Sequence, residues 1–248
     1  MRRVSGGWPE GYARHVFDTL DSTLSEAARM APTLTGPAWI MALEQTAARG
    51  RRGRAWSTPH GNFAGTLIMP RREEPGIAAL RSFVASLALY RTFVEVTGDR
   101  QAFALKWPND VLLKGGKVAG ILLETLGEHL VIGIGVNLVH APGRDEVEAG
   151  ALPPMSLKRD LGVDVDPEVF LHVLAEKYAA LEDQFVTFGF GPIRTAWLAH
   201  AAKLGEVITA RTMREEMTGT FEDVDENGNL VLQTGSGQQR ITAAEVFF

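Results

Sequence analysis

Four arginines, Arg49, Arg51, Arg52 and Arg54, fall within six positions of the stretch QTAARGRRGRAWSTPHGN (45–62), spaced by Gly50 and Gly53. Guanidinium groups fork onto the oxygens of phosphate or carboxylate, and glycine lets the backbone come close to such an anion. The segment is a candidate loop for an anionic guest. For an arginine cluster alone, a solvated basic turn or a nucleic-acid patch is an even alternative. Trp56, directly after the loop, favours a ligand with a planar base on which an indole can stack, although a single Trp is more often core.

A second constellation lies further along the chain. In KWPND (106–110) Pro108 cannot donate to a sheet ladder, so it ends a strand and groups Lys106, Asn109 and Asp110 at a turn. Gly115-Gly116 reads as a tight hairpin turn that folds Lys117 back, so that its amine and the Asp110 carboxylate face one site. Taken singly, a turn-capping Asp110 and a solvated Lys117 are the ordinary readings. Gly120 inside a strand marks a close approach, and IGIGVN (132–137) leaves room on one face for a ligand or a crossing segment. Asn137 either bonds a ligand or closes a turn.

Other chemistries lack their spacing. There is no G-x-S-x-G elbow, no G-x-x-x-x-G-K-[ST] phosphate loop and no G-x-G-x-x-G turn. The six His are scattered, His129 and His140 being the nearest pair, which leaves no H-x-x-x-H metal face. The chain has no Cys, which excludes disulfides and thiol nucleophiles and suits a reducing, cytoplasmic setting. No signal peptide opens the sequence, and no apolar run approaches the ~18 residues of a membrane span. Lys+Arg 25 against Asp+Glu 30 gives a net charge of -5, so the 242 residues outside the arginine segment carry -5 - 4 = -9. A local positive device on an acidic body does not suit general nucleic-acid binding.

These residues need a scaffold, and 248 residues allow one larger domain with a small appendage. Thr23 and Glu26 fit a capping box opening a helix near Leu24. Residues 38–45 and 62–70 read as strands, and 76–97 as a helix with Ala79, Leu80, Phe83, Leu87, Tyr90, Phe93 and Val94 on one stripe. FALKW, VLLK, KVAGILLE and HLVIGIGVNLV read as further strands of a largely antiparallel sheet. A Pro/Gly/acidic loop (139–155) precedes amphipathic helices at 167–185 and 192–203. After 203 come short β runs with turn signals at 226–229 and 235–237, which suit a small β barrel. The fold class is α+β: a mixed sheet flanked by helices in residues 1–203, then a β domain in residues 204–248.

Taken in order, D-S-T (21–23), R-G-R-R-G-R-x-W (49–56), KWPND (106–110), K-x-x-G-I-L-x-E (117–124) and G-x-G-x-N (133–137) resemble the catalytic domain of biotin protein ligases. The resemblance implies a biotin/lipoate ligase-like sheet domain followed by an SH3-like barrel. It also implies two-step chemistry: biotin and ATP give biotinyl-5′-AMP, and a lysine of a carboxylase's biotin carboxyl carrier domain then takes the acyl group. Carried over, Lys117, Arg51 and Asp110 are the catalytic residues. Ser22, Thr23, Leu24, Gln45, Arg49, Gly50, Arg51, Lys117 and Gly120 serve biotin, and Arg51, Arg54, Trp56, Lys106, Asn109 and Asn137 serve ATP. Mg²⁺ comes with ATP, and no protein ligand to it is assigned.

The chain departs from the family pattern at Leu24, where Asn is usual, and at Ala48, where many members have Gly. The 20 residues before Asp21 are too few for the winged-helix domain some members carry, so no repressor role and no nucleic-acid partner are expected. No membrane partner is expected, and a homodimer is one arrangement left open. A lipoate or octanoate ligase of the same fold and a non-catalytic biotin binder are the alternatives.

Overall fold

The structure is a computed structural model that describes residues 7–148 and 150–248, without the side chain of Arg51. Strands β1 (Ala13–Leu20), β2 (Ala38–Gln45), β3 (Phe63–Pro70), β4 (Phe103–Lys106), β5 (Asp110–Leu113), β6 (Gly116–Leu126) and β7 (His129–Val136) form one sheet. Its order is β1-β2-β3-β7-β6-β5-β4, with β1 parallel to β2 and every other pair antiparallel. The strand β1, which the sequence reading passed over, is a largely exposed edge strand carrying Arg14, His15 and Asp18 among its apolar residues.

The alternation of side chains across the sheet divides the core in two. Trp39, Met41, Leu67 and Ile132 belong to a large cluster with the helices α3 (Arg81–Thr97), α5 (Pro167–Phe188) and α6 (Phe190–Leu198). Ile40, Ile68 and Val131 point the other way, into a small cluster under α1 (Thr23–Met30) with Leu24 and Ala27. Both faces of β2 are therefore covered, which is why 38–42 reads as an unbroken apolar run. The lightly covered face, shared with α1, also carries Thr66, Gly133 and Gly135, and it is there that a site can open.

Several expectations shift by a residue or a turn. Ser22, not Thr23, caps α1, its hydroxyl accepting from the Leu24 N–H, because the Thr23 side chain is drawn inward to other partners. The hairpin turn is Lys114-Gly115 (φ 47° and 82°), with Gly116 already paired to Leu113. Gly116 is needed for another reason: a Cβ there would sit 2.4 Å from the Pro153 carbonyl oxygen. The helix expected over 76–97 breaks at Leu80 into α2 (Pro75–Ala79) and α3, which leaves Ala79 exposed. Together they are long enough and on average apolar enough to cross a membrane, although Arg81, Arg91 and Glu95 interrupt any apolar run, and α3 is buried on nearly all sides between sheet and helices, as core helices are.

A short helix, α4 (Leu157–Leu161), follows the acidic loop. The helix expected to reach 203 stops at Leu198, and Lys203 and Gly205 both take positive φ as the chain turns into the C-terminal β region. Strands β8 (Val207–Arg211), β9 (Glu216–Val224), β10 (Leu230–Thr234), β11 (Gly237–Ile241) and β12 (Glu245–Phe247) form an antiparallel sheet in the order β11-β10-β9-β8-β12. It sits directly on the larger body: Trp107 donates its indole N–H to the Gly228 carbonyl at 3.0 Å, and Phe221 and Leu230 continue the large apolar cluster.

Candidate active site

A cavity of about 610 Å³ opens on the face of the sheet that carries α1. Ser22, Thr23, Leu24, Gln45, Arg49, Gly50, Arg54, Trp56, Lys106, Asn109, Asp110, Lys117, Gly120 and Asn137 all line it. These are all the residues to which the resemblance gives a catalytic or binding role except Arg51, whose side chain lies outside the described residues. Residues brought together from five separated stretches thus meet around one space.

The floor is built from neutral hydrogen bonds. Thr66 donates to the Thr23 hydroxyl at 2.8 Å, and Thr23 donates to Gln45 Oε1 from its hydroxyl (3.1 Å) and its backbone N–H (2.8 Å). Gln45 Nε2 in turn donates to the Thr58 hydroxyl at 3.0 Å. The chain of contacts fixes the Gln45 amide in one orientation. Thr23, Thr58 and Thr66 are buried, so this arrangement is held by the cost of leaving any member unpaired. Asp21 stays outside, its carboxyl held down at about 2 by the Arg29 guanidinium.

The glycines explain how the cavity is shaped. A Cβ on Gly133 would lie 3.1 Å from Leu24, so this glycine makes space for the residue that departs from the family pattern. A Cβ on Gly135 would lie 2.3 Å from Trp56 Nε1, and Gly120, paired with Gly135 across β6 and β7, is also covered by the Trp56 ring. The room left by IGIGVN is therefore taken by Leu24 and by an indole that roofs two cross-strand glycines.

Lys117 Nζ stands 2.8 Å from Asp110 Oδ1 and 5.6 Å from the Trp56 ring centre, while Lys106 lies 4.0 Å from Asp110 Oδ2. Asp110 is thus flanked by two ammonium groups. Because β7 pairs with β6 only from Ala119 onward, the Lys117 backbone pairs with the 153–155 segment, its N–H donating to Pro153 O and its carbonyl accepting from Met155 N–H, both at 2.8 Å. Asn109 donates its side-chain amide to Ile121 O, and Asn137 donates to Met155 O at 3.0 Å. Rather than closing a local turn, the Asn137 side chain ties the end of β7 to the 153–155 segment, at a position that also borders the cavity.

The arginine loop is held by carboxylates from distant parts of the chain. Arg49 forks onto Glu124 at 2.5 and 2.7 Å. Arg54 meets Glu148 through Nε (2.8 Å) and Glu245 through Nη1 (3.0 Å), and Arg52 reaches Glu245 at 3.1 Å. The hydrogen bond from Arg54 is the largest influence on Glu245 and pulls its carboxyl below the ordinary value. Thr58, Thr66, Glu148 and Glu245 were not singled out from sequence. Isolated hydroxyls and carboxylates carry no pattern, and only Glu124 lay inside a recognised motif.

A mixed sheet whose open face gathers Lys106, Lys117 and the arginine loop around one cavity is the layout that the biotin and lipoate ligases share. The chain belongs to the biotin/lipoate A/B protein ligase family, whose model matches residues 16–137, and the biotin protein ligase C terminal domain matches residues 203–248. It is 53% identical over 233 residues to the biotin--[acetyl-CoA-carboxylase] ligase of Paracoccus denitrificans, covering 92% of this chain and 97% of that one. It is 31% identical over 216 residues to the bifunctional ligase/repressor BirA of Bacillus subtilis, covering 84% of this chain and 65% of that relative. Its fold matches biotin protein ligase from Aquifex aeolicus in complex with biotin and ATP, with a TM-score of 0.84 at 24% identity over 94% of this chain and 97% of that one.

Proposed function

We propose that the chain is an ATP-dependent ligase that activates biotin as biotinyl-5′-AMP and passes the acyl group to a lysine of a biotin carboxyl carrier domain, with acetyl-CoA carboxylase as the first candidate owner of that domain. The observation that carries this reading is the meeting of the Lys117 amine and the arginine loop at one cavity.

The first step brings two anions together. A carboxylate oxygen of biotin attacks the α-phosphorus of ATP, the bond to the bridging oxygen breaks, and pyrophosphate leaves. Cations fixed where the negative charge develops lower that barrier without reorganising. Lys117 would bridge carboxylate and α-phosphate oxygens, supported by its position beside Asp110 and over Trp56. Arg51 would act from the loop. Ser22, Thr23 and Gln45 would hold the polar head of biotin, and the fixed Gln45 amide supports that assignment. Arg49, Gly50 and Gly120 would complete the pocket beside Leu24, while Arg54, Trp56, Lys106, Asn109 and Asn137 would serve the nucleotide.

In the second step the carrier amine must be neutral to attack the acyl carbon; the new C–N bond forms as the C–O bond to phosphorus breaks and AMP departs. Asp110 is the carboxylate at hand to orient that amine and receive its proton. Mg²⁺ carried on ATP belongs to the same proposal. Among the described residues no group of three His, Cys, Asp or Glu could hold a metal, so phosphate oxygens and water would be its main ligands. A division into residues 1–203 and 204–248 is supported by the positive-φ turn at Lys203 and Gly205. A cytoplasmic setting, where ATP is met, completes the reading.

Incubating the protein with labelled ATP and either biotin or lipoate tests it. Biotin is expected to yield the adenylate and pyrophosphate; an adenylate formed from lipoate alone would transfer the chain to the lipoate branch. Lys117→Ala should slow adenylate formation by about 3–4 kcal/mol of barrier, on the scale of a deleted oxyanion donor. Wild-type turnover in that variant would remove Lys117 from the mechanism.

A further inference from the structure

The C-terminal sheet reaches the cavity through β12, where Glu245 shares one carboxylate between Arg52 (3.1 Å) and Arg54 (3.0 Å). These partners are separated from it by 193 and 191 residues, so the contact exists only because the two sheets are docked. The loop itself is a narrow excursion. Isolated bridges Gln45–Thr58 and Arg49–Ala55 zip its stem, and its tip turns through Arg52 at φ 56°. The stem is thus fixed to the neutral floor through Gln45, whereas Glu245 holds the tip at Arg52 and, together with Glu148, the returning arm at Arg54. Glu245, Arg52 and Arg54 all border the cavity, so the gripped tip forms part of its wall.

We propose that Glu245 is a positioning residue: it latches the tip of the arginine loop to the C-terminal sheet, so that the loop stays closed while the reactive mixed anhydride waits for its acceptor. This rests on the ligase reading given above. Exposed ion pairs contribute little singly, and Arg52, Arg54 and Glu245 all keep access to water. A latch of that strength opens readily to admit substrates yet biases the loop toward closure. Without it, water reaches the anhydride more often. In that side reaction the water oxygen bonds to the acyl carbon, the bond to the phosphate oxygen breaks, and biotin and AMP leave with the released protons.

The test uses the full chain with biotin, ATP and no carrier protein, and follows adenylate formed in the first turnover and AMP released afterwards. Glu245→Gln is expected to make the adenylate and then release AMP about tenfold faster than the unaltered protein, with Glu245→Asp between the two. Arg52→Gln cuts the same latch from the loop side and serves if Glu245→Gln does not fold. It should raise AMP release similarly, and the double variant should add little to either single one. Adenylate retained as tightly in both single variants as in the parent would overturn the latch. A purely structural role for Glu245 would lower the melting temperature while leaving the ratio of AMP release to adenylation unchanged, and that result also overturns it. No adenylate in the unaltered protein would instead count against the ligase reading, so the two failures are separable.

Discussion

The floor of the cavity and the arginine loop above it are held in opposite ways. Thr66, Thr23, Gln45 and Thr58 are linked by short neutral hydrogen bonds, and the three threonines are buried. Arg49, Arg52 and Arg54 are joined to Glu124, Glu148 and Glu245 by ion pairs that remain open to water. Buried polar contacts are costly to leave unmade, which makes geometry rigid; exposed charge pairs are cheap to exchange, which makes a loop movable. In the proposed ligase, the fixed region is the one that would hold the neutral ring system of biotin, and the movable region is the one that would trade its carboxylate partners for a phosphate.

The largest departure should come from the floor. Thr66→Val keeps the shape but removes the hydroxyl that donates to Thr23, so stability should fall by about 1–3 kcal/mol, with weaker biotin binding in calorimetric titration. An unchanged unfolding midpoint and biotin affinity would mean that the floor is no more rigid than the loop. Arg49→Ala should cost stability less, about 0–1 kcal/mol, because its fork onto Glu124 is exposed. Its effect should instead appear as a weaker salt dependence of biotin binding than in the parent, since biotin carries a carboxylate.

The smallest and most selective effect is expected in acid. Arg54 holds the Glu245 carboxyl below its ordinary 4.5, so the loop's attachment is complete above about that pH and is lost as pH falls through the lowered value. The floor has no group that titrates there. Hydrogen exchange of residues 46–57, corrected for its intrinsic pH dependence, should therefore rise below pH 4.5 before exchange at Thr23 and Gln45 does. Simultaneous opening of both regions would erase the distinction.

Much of this was legible in the chain itself. The arginine run, KWPND, K-x-x-G-I-L-x-E and G-x-G-x-N each has an ordinary reading by itself; it is their occurrence together and in order that carries the resemblance, and the fold gathers them at one cavity. Strand β2, buried on both faces, stood out as an apolar run, and β3 by a looser alternation. By contrast β1 hides behind its charged residues because an edge strand needs little apolar surface. The 199–203 segment continues a helical pattern but is diverted where Ala202 N–H donates to Leu105 O at 2.7 Å. Thr58 and Thr66 matter through partners 13 and 43 residues away, and Glu245 through partners more than 190 residues away. Such pairings are decided by tertiary docking, which local spacing does not encode.

The position of Phe248 has a practical corollary. Its ring lies 5.8 Å from Lys106 Nζ and borders the same cavity as the arginines. A purification handle or fluorescent fusion appended there would emerge at the mouth of this cavity and obstruct it.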